Sequence, residues 1–140
     1  MSVVGRRPRV AASRRQQTSP VVGLADPFPD EREMFALAFS SHGFGVEFLP
    51  EEVKAAVAAV RDHRPGVVVS RIVPGDFGID LVTRIRADEG LRRVPVILLT
   101  SYAIPKWQTA GRDAGADAVL LLPVFVETLC ALAWQLAQRR

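Results

Sequence analysis

Short apolar runs alternate with longer segments of helical periodicity along this chain. Five runs have the length of β-strands, and they cover residues 20–25, 46–49, 67–69, 94–99 and 118–122. Apolar residues recur at helical spacing over residues 29–41, 50–63, 79–87, 105–114 and 125–138. Proline or glycine residues bound most of these segments, so the pattern predicts five strand–helix units in succession.

Strict alternation of strands and helices predicts an α/β fold with a parallel sheet covered by helices on both faces. For five units, the right-handed crossover rule favours the flavodoxin-like strand order 2-1-3-4-5. In the first helix, we expect the buried face to consist of Met34, Leu37, Ala38 and Ser41. In the last helix, we expect it to consist of Val126, Leu129, Cys130, Ala133 and Leu136.

Charge is distributed unevenly along the 140 residues. Five of the 18 basic residues are arginines within residues 1–19, where no acidic residue occurs, which leaves 13 basic against 15 acidic residues in 20–140. We therefore predict a disordered basic tail over residues 1–19 and one folded domain over residues 20–140. The tail is also a hypothetical contact for nucleic acid.

Targeting and redox signals are weak in this sequence. No apolar run approaches the roughly 20 residues that a membrane span needs, and arginines interrupt the N-terminal stretch where a signal peptide would be apolar. The single cysteine, Cys130, fits a reducing compartment. We expect a cytoplasmic protein that does not bind a membrane.

Polar and charged residues stand at or just after the predicted strand ends. In open parallel sheets, sites form at the carboxyl ends of the strands, beside the point where the strand order reverses. The residues at these ends are the polar or charged Asp26, Ser70, Arg71 and Thr100 and the apolar Leu122. The sequence therefore predicts the location of a site before any family is considered.

Four stretches of residues 20–140 together resemble the receiver domain of response regulators. They are the acidic turn that begins at Asp26, the third strand with its Pro-Gly-x-x-Gly loop at 74–78, the fourth strand ending in Thr100 and Ser101, and the fifth strand ending in Leu122 and Pro123. The resemblance implies the (βα)5 receiver fold. It also implies a pocket where acidic residues hold Mg²⁺, an aspartate accepts a phosphoryl group, and a lysine and a hydroxyl contact that group.

Most of the implied pocket residues are missing from this sequence. Asp26 matches the first acidic ligand, but Pro27 stands at the second acidic position and Leu122 at the lysine position. Counting from Pro65 places Arg71 at the acceptor aspartate, whereas counting back from Pro74 places Ser70 there. Thr100 matches the switch hydroxyl, and Val119 replaces the usual switch aromatic residue.

A single aspartate is too weak a ligand set for Mg²⁺, which is strongly hydrated. We expect Arg71 to pair with Asp26 directly. The resemblance therefore points to a degenerate pseudo-receiver with no bound metal, no cofactor and no catalytic residue.

The hypothesised function is protein–protein interaction without phosphorylation, by a stand-alone receiver in bacterial signalling or transcriptional regulation. The family uses the face of helix 4, strand 5 and helix 5 for contacts, and homodimerisation through that face is one possibility. The candidate contact residues are Tyr102, Trp107, Val119 and Trp134.

Three alternatives remain open at this point. The vacated pocket is a candidate site for a small ligand, because Leu122 and Val119 are apolar where the family has polar or aromatic groups. The arginine tail is a candidate contact for nucleic acid. The third alternative is an active receiver that is phosphorylated because its pocket residues are shifted in register relative to the family pattern.

Overall fold

The computed structural model describes residues 19–139, so nearly all of the predicted basic tail lies outside the described residues. The strands are β1 Val21–Ala25, β2 Gly45–Phe48, β3 Val67–Arg71, β4 Val96–Thr100 and β5 Ala118–Leu121. The helices are α1 Pro29–Ser41, α2 Val53–His63, α3 Phe77–Ala87, α4 Pro105–Ala114 and α5 Val126–Gln138. The predicted alternation is confirmed, and most boundaries lie within two residues of the expected ones.

All five strands form one parallel sheet in the order β2-β1-β3-β4-β5. This is the predicted flavodoxin-like order, written in sequence numbers as 2-1-3-4-5. Ala25 pairs with Ser70, so the residues that follow β1 lie beside the last residue of β3. The strand order reverses between these two strands, and that is where a site is expected.

The sheet separates two hydrophobic clusters. One cluster contains residues of α2 and α3 with Val68 and Leu98, and the other contains residues of α1 and α5 with Val67 and Val69. Successive strand residues point to opposite faces, and both faces are covered by helices, so the three consecutive valines of β3 are all fully buried. In α5, the predicted stripe of Leu129, Cys130, Ala133 and Leu136 is buried, and Val126 is partly buried.

The predicted buried face of α1 is wrong. The buried residues of this helix are Phe35 and Phe39, whereas Met34 is 50% and Leu37 is 70% exposed. Phe35 and Phe39 also recur at four-residue spacing, one position further along the helix than the predicted stripe. Burying two phenylalanines removes more apolar surface from water than burying Met34 and Leu37, so the helix is rotated toward the aromatic pair.

Gly78 brings the start of α3 against the end of β3. A Cβ atom at this position would lie 2.5 Å from the carbonyl oxygen of Arg71 and 2.8 Å from Cα of Ile72. The Gly78 amide donates to the Ile72 carbonyl at 2.9 Å. Only glycine permits this approach without displacing the backbone that positions Arg71.

Within residues 19–139, no helix is both long enough and apolar enough to cross a bilayer.

Candidate functional site

The candidate site lies at the carboxyl ends of β1 and β3. Asp26 follows β1, and Arg71 is the last residue of β3; both side chains are buried, with 3% and 6% of their surface exposed. Two ionisable groups this deeply buried are stable only when their charges are compensated nearby. Their surroundings therefore determine what this end of the sheet can do.

The backbone after Asp26 turns directly into α1. One carboxylate oxygen of Asp26, Oδ1, accepts a hydrogen bond from the Phe28 amide at 2.9 Å, and Pro29 begins the helix. Proline suits this first position because the amide of a first-turn residue has no partner within the helix. The first turn of α1, including Glu31, is thereby held above the strand ends.

Arg71 contacts Glu31 rather than its predicted partner Asp26. Its Nε lies 3.1 Å from Oε1 of Glu31, its guanidinium carbon lies 5.0 Å from the centre of the Phe28 ring, and NH1 donates to Ser101 Oγ at 3.1 Å. The side chain of Arg71 thus reaches from β3 across the site to α1 and to the segment after β4. The expected direct pair of Arg71 with Asp26 is a wrong prediction of the partner, because the first turn of α1 places a second carboxylate within reach.

Three buried polar atoms at this site have no hydrogen-bond partner among residues 19–139. They are Asp26 Oδ2, Glu31 Oε1 and Arg71 Nε. The 3.1 Å contact between Arg71 and Glu31 is therefore an ion pair by distance, but the N–H group does not point at the oxygen. Protonation of Glu31 would provide a hydrogen-bond partner at this site, because a protonated carboxyl group can donate a hydrogen bond to Asp26.

Glu31 is the group whose titration is most perturbed at this site. The pKa of Glu31 is raised from the usual 4.5 to about 7, first by burial and then by the hydrogen bond that its protonated form donates to Asp26 and by the negative charge of Asp26. The positive charge of Arg71 acts in the opposite direction and does not outweigh them. Glu31 is therefore a carboxyl group that keeps its proton well above the usual pH range and loses it near neutral pH.

Ser70 and Thr100 both bond to backbone. Ser70 is fully buried, and its hydroxyl donates to the Arg71 carbonyl at 2.8 Å. Thr100 is 2% exposed, and its hydroxyl accepts from the Tyr102 amide at 3.1 Å. Of the two candidates for the reacting position, Arg71 is the one whose side chain enters the site.

Two further predicted pocket residues contribute no charge. Pro27 lines a small cleft beside Asp26 together with Pro50 and Pro74. Leu122 packs against the cluster of α1 and α5, and its amide donates to the Thr100 carbonyl at 2.8 Å. The cleft beside Asp26 has a volume of about 10 Å³, which is room for roughly one water molecule.

The residues present do not fit the Mg²⁺ ion that the receiver resemblance implies. Among the described residues, no group of three or more His, Cys, Asp or Glu side chains is arranged to hold a metal ion. The guanidinium of Arg71 already lies against Glu31. A second cation beside this charge would be repelled, and Asp26 alone does not replace the hydration shell of Mg²⁺.

The four predicted contact residues do not form one surface. Tyr102 is 51% exposed after β4, and Trp107 is partly buried against the cluster of α2 and α3. Trp134 is 43% exposed but lies on the other side of the sheet, with its ring 5.4 Å from Phe44 in an edge-to-face contact. Val119 is only 8% exposed, which corrects its assignment to a contact surface.

Val119 is buried because α4 lies very close to β5. A Cβ atom at Gly111 would lie 2.7 Å from Cγ2 of Val119 and 3.1 Å from Cδ1 of Leu98. A large aromatic residue in place of Val119 would not fit under this helix without displacing it.

Sequence reasoning missed Glu31, Phe28 and Ser101 as partners of Arg71. In the sequence, Glu31 is an acid in the first turn of a helix, which the helix dipole favours whatever its contacts are. A signal was present, since Glu31 lies five residues after Asp26 and within the first turn above the strand ends. Selecting between the two carboxylates required side-chain geometry that the pattern of the sequence does not contain.

The chain is similar in sequence to response regulators and transcriptional regulators of bacteria. No protein-family model matches the chain. The DNA-binding response regulator MtrA of Mycolicibacterium smegmatis is 30% identical over 109 residues, which cover 77% of this chain and 46% of that protein. The phosphate regulon regulatory protein PhoB of Pseudomonas aeruginosa is 31% identical over 102 residues, which cover 71% of this chain and 44% of that protein. The chain thus spans less than half the length of these relatives.

Solved receiver domains have the same fold. The receiver domain of the sensor histidine kinase PA1611 from Pseudomonas aeruginosa, solved with magnesium in its active-site cleft, superposes with a TM-score of 0.77 at 22% identity, covering 86% of this chain and 99% of that chain. The chemotaxis response regulator CheY4 of Vibrio cholerae gives a TM-score of 0.74 at 24% identity, covering 85% of this chain and 99% of that chain. These likenesses establish the flavodoxin-like receiver fold.

Proposed function

Since this chain contains a receiver domain of the response-regulator type, we propose that it is a pseudo-receiver, which contacts partner proteins without being phosphorylated and without binding Mg²⁺. The observation on which this proposal depends is the contact of Arg71 Nε with Glu31 Oε1 at 3.1 Å. It means that a permanent cation stands where a phosphorylated receiver requires a carboxylate and a metal ion.

Arg71 takes the position of the phosphoacceptor in this proposal. The side chain of Ser70 is fully buried and bonds to backbone, whereas that of Arg71 enters the site. A guanidinium group has no nucleophilic oxygen and stays protonated at all physiological pH values, so it neither attacks a phosphoryl group nor releases its charge. The positive charge of Arg71 is therefore permanent, whereas Glu31 beside it titrates.

Leu122 supports the same proposal from the other side of the pocket. In phosphoryl transfer, cationic groups stabilise the charge on the phosphoryl oxygens. Leu122 offers no charge there, and Thr100 uses its hydroxyl to accept from the Tyr102 backbone. The cationic group that would respond to a phosphoryl group is thus replaced by an apolar side chain.

Exposed apolar residues at the ends of β4 and β5 form the proposed contact surface. Tyr102 and Ile104 follow β4 and are 51% and 48% exposed, whereas Leu121 ends β5 and Phe125 precedes α5 at 39% and 79% exposure. Thr100 pairs with Leu121, so the two segments leave neighbouring strands side by side. Grouped apolar residues of this kind at a protein surface mark contact sites more often than isolated ones do.

This contact surface, Tyr102, Ile104, Leu121 and Phe125, adjoins the site because Ser101 bonds to Arg71. Aromatic residues such as Tyr102 and Phe125 are typical anchors of protein interfaces. Either a different protein or a second copy of this chain would bury them.

Affinity capture from cells of the source organism tests the proposal. We expect the full-length chain to retain a specific partner, or itself, equally well with and without a small phosphodonor and Mg²⁺. The variant Tyr102→Ser with Phe125→Ser should lose at least about tenfold of this binding, because two anchors of about 1–2 kcal/mol each are removed. The matched control, Met34→Ser with Leu37→Ser, replaces two exposed apolar residues of α1 and should bind like wild type.

Size measurement by light scattering separates the two kinds of partner. A concentration-dependent dimer that the Tyr102 and Phe125 substitutions dissociate would identify a second copy as the partner. Capture that depends on the phosphodonor, or that both double variants reduce equally, would contradict the proposal.

The small-ligand alternative has little structural support. The cleft beside Asp26 has a volume of about 10 Å³, whereas sites for small organic ligands typically occupy about 300–1,000 Å³. Arg71 and Phe28 occupy the space around the strand ends. Protein contact is therefore the function that we propose.

A further inference from the structure

A second charged region lies at the opposite edge of the sheet, where the strands begin. It is a cleft of about 530 Å³ between the segments that precede β4 and β5 and the end of α5. Its lining residues are Arg86, Arg92, Arg93, Pro95, Gly115, Asp117 and Arg139. Four of these seven residues are arginines, and none is aromatic.

Arg86 is the structural centre of this cleft. Its guanidinium donates to the carbonyl oxygens of Gly115 at 2.9 Å, Val94 at 2.7 Å and Arg92 at 3.1 Å, and to Asp117 Oδ2 at 3.0 Å. One side chain thereby fixes both chain segments that enter β4 and β5. The backbone that presents Arg92 is held in place before any ligand arrives, which lowers the entropy cost of binding.

Asp117 does not neutralise the cleft. Its carboxylate oxygens lie 3.0 Å from the guanidinium of Arg86 and 3.3 Å from that of Arg139. They also accept a hydrogen bond from the Val96 amide at 2.8 Å. Its single negative charge is therefore shared between two guanidinium groups. The lining has four positive charges and one negative charge, which is a net charge of +3.

Arg92 and Arg93 are the residues available to a ligand. Both are exposed, and within residues 19–139 neither side chain forms a hydrogen bond or an ion pair with another side chain. Residues 20–140 have 13 basic against 15 acidic residues, so the folded part of the chain is slightly acidic. The cleft is thus strongly positive, although the net charge of the whole domain is slightly negative.

The helix dipoles oppose this charge only partly. The helices α3, α4 and α5 all end at the same edge of the sheet as the cleft. Each helix C-terminus contributes roughly half a negative charge. The net charge of +3 on the side chains is about twice this opposing charge, so the cleft remains attractive to anions.

We propose that this cleft binds the phosphate backbone of nucleic acid without recognising its base sequence. Guanidinium groups match phosphate oxygens in charge and geometry, which favours a ligand with several phosphates. The absence of an aromatic lining residue removes the stacking contact by which proteins hold unpaired bases. Contacts to phosphates position a duplex without specifying its sequence.

Fluorescence anisotropy with a labelled DNA duplex of mixed sequence tests this proposal on the full-length chain. Arg92→Ala with Arg93→Ala should weaken binding about tenfold. It should also reduce the slope of log K against log salt by about 1.8, because each phosphate contact contributes about 0.9. The matched control, Lys54→Ala with Arg84→Ala, removes two exposed positive charges outside the cleft and should bind like wild type.

The arginine tail requires a separate arm of the experiment. A full-length variant with alanine at the five arginines of residues 1–19 should bind more weakly than wild type, yet lose a further tenfold when Arg92 and Arg93 are replaced. Wild-type binding by the Arg92 and Arg93 variant would overturn the proposal. Equal losses in the cleft variant and the Lys54 and Arg84 control, or no duplex binding at low salt, would overturn it as well.

Discussion

Arg71 at the end of β3 lies against Glu31 in the first turn of α1, with 3.1 Å between Nε and Oε1. Because Asp26 adjoins the same carboxyl group, three ionisable side chains from three elements meet at the point where the strand order reverses. This arrangement holds two carboxyl groups, one guanidinium and one titratable proton. The guanidinium of Arg71 thus compensates carboxylate charge within the protein itself.

Replacing Arg71 should destabilise the fold, and more strongly at alkaline pH. Arg71→Met keeps a long apolar side chain but removes the guanidinium that lies beside Glu31 and over the Phe28 ring. We expect a loss of about 1–3 kcal/mol in the free energy of unfolding at pH 8. At pH 5 the loss should be smaller, because Glu31 is then protonated and needs no cation. Urea unfolding at both pH values measures this. The exposed Arg61, which pairs with Asp88, provides the control Arg61→Met, for which we expect little change.

Glu31 should make stability depend on pH between about 4.5 and 7. Its pKa in the folded state, about 7, is higher than the usual value of 4.5, so the folded state binds the proton more tightly than the unfolded state. This stabilisation is fully present below pH 4.5 and is lost as the pH rises through about 7. Glu31→Gln keeps a hydrogen-bond donor without a titratable proton and should flatten the curve in this window.

The measurement for Glu31 is the melting temperature of wild type and of Glu31→Gln across pH 4.5–8. Subtracting the two curves removes the contributions of all titratable groups that both proteins share. Parallel curves would show that Glu31 does not hold the proton that we assign to it.

Arg71→Asp should create a site for Mg²⁺. The substitution places a third carboxylate beside Asp26 and Glu31, which gives the hard oxygen ligands that this ion prefers. Without metal, repulsion among the carboxylates should lower the melting temperature. With Mg²⁺ at ten times its Kd, the variant should regain about 1.4 kcal/mol, whereas wild type should show no Mg²⁺-dependent change. A variant that does not respond to Mg²⁺ would mean that these side chains do not converge as described.

The fold was predictable from the sequence because its pattern is local. Each strand is a short apolar run, each helix has an apolar face, and the crossover rule then leaves few ways to order five parallel strands. The buried face of α1 was not predictable in the same way. Two overlapping stripes, one through Met34 and one through Phe35, both have helical spacing, and only the packing against the sheet selects the second.

The site was predictable in location but not in its contacts. The positions of Asp26 and Arg71 were predictable because both lie at strand ends. The partner of Arg71 is 40 residues away in the sequence, so their contact depends on the length and direction of the side chains in the folded structure. Trp134 illustrates the same difficulty, since its place depends on the edge-to-face contact with Phe44, the residue just before β2. Pairings between distant segments are decided by geometry that no single stretch of sequence encodes.

Phosphorylation independence is tested most directly by intact mass spectrometry of the full-length chain after incubation with a small phosphodonor and Mg²⁺. A receiver domain with an acceptor aspartate serves as the positive control in the same reaction. We expect no mass increase by one phosphoryl group in this protein, because we propose that Arg71 and Leu122 stand at the positions of the acceptor and the lysine. A stoichiometric phosphoryl adduct on residues 20–140 would contradict the account.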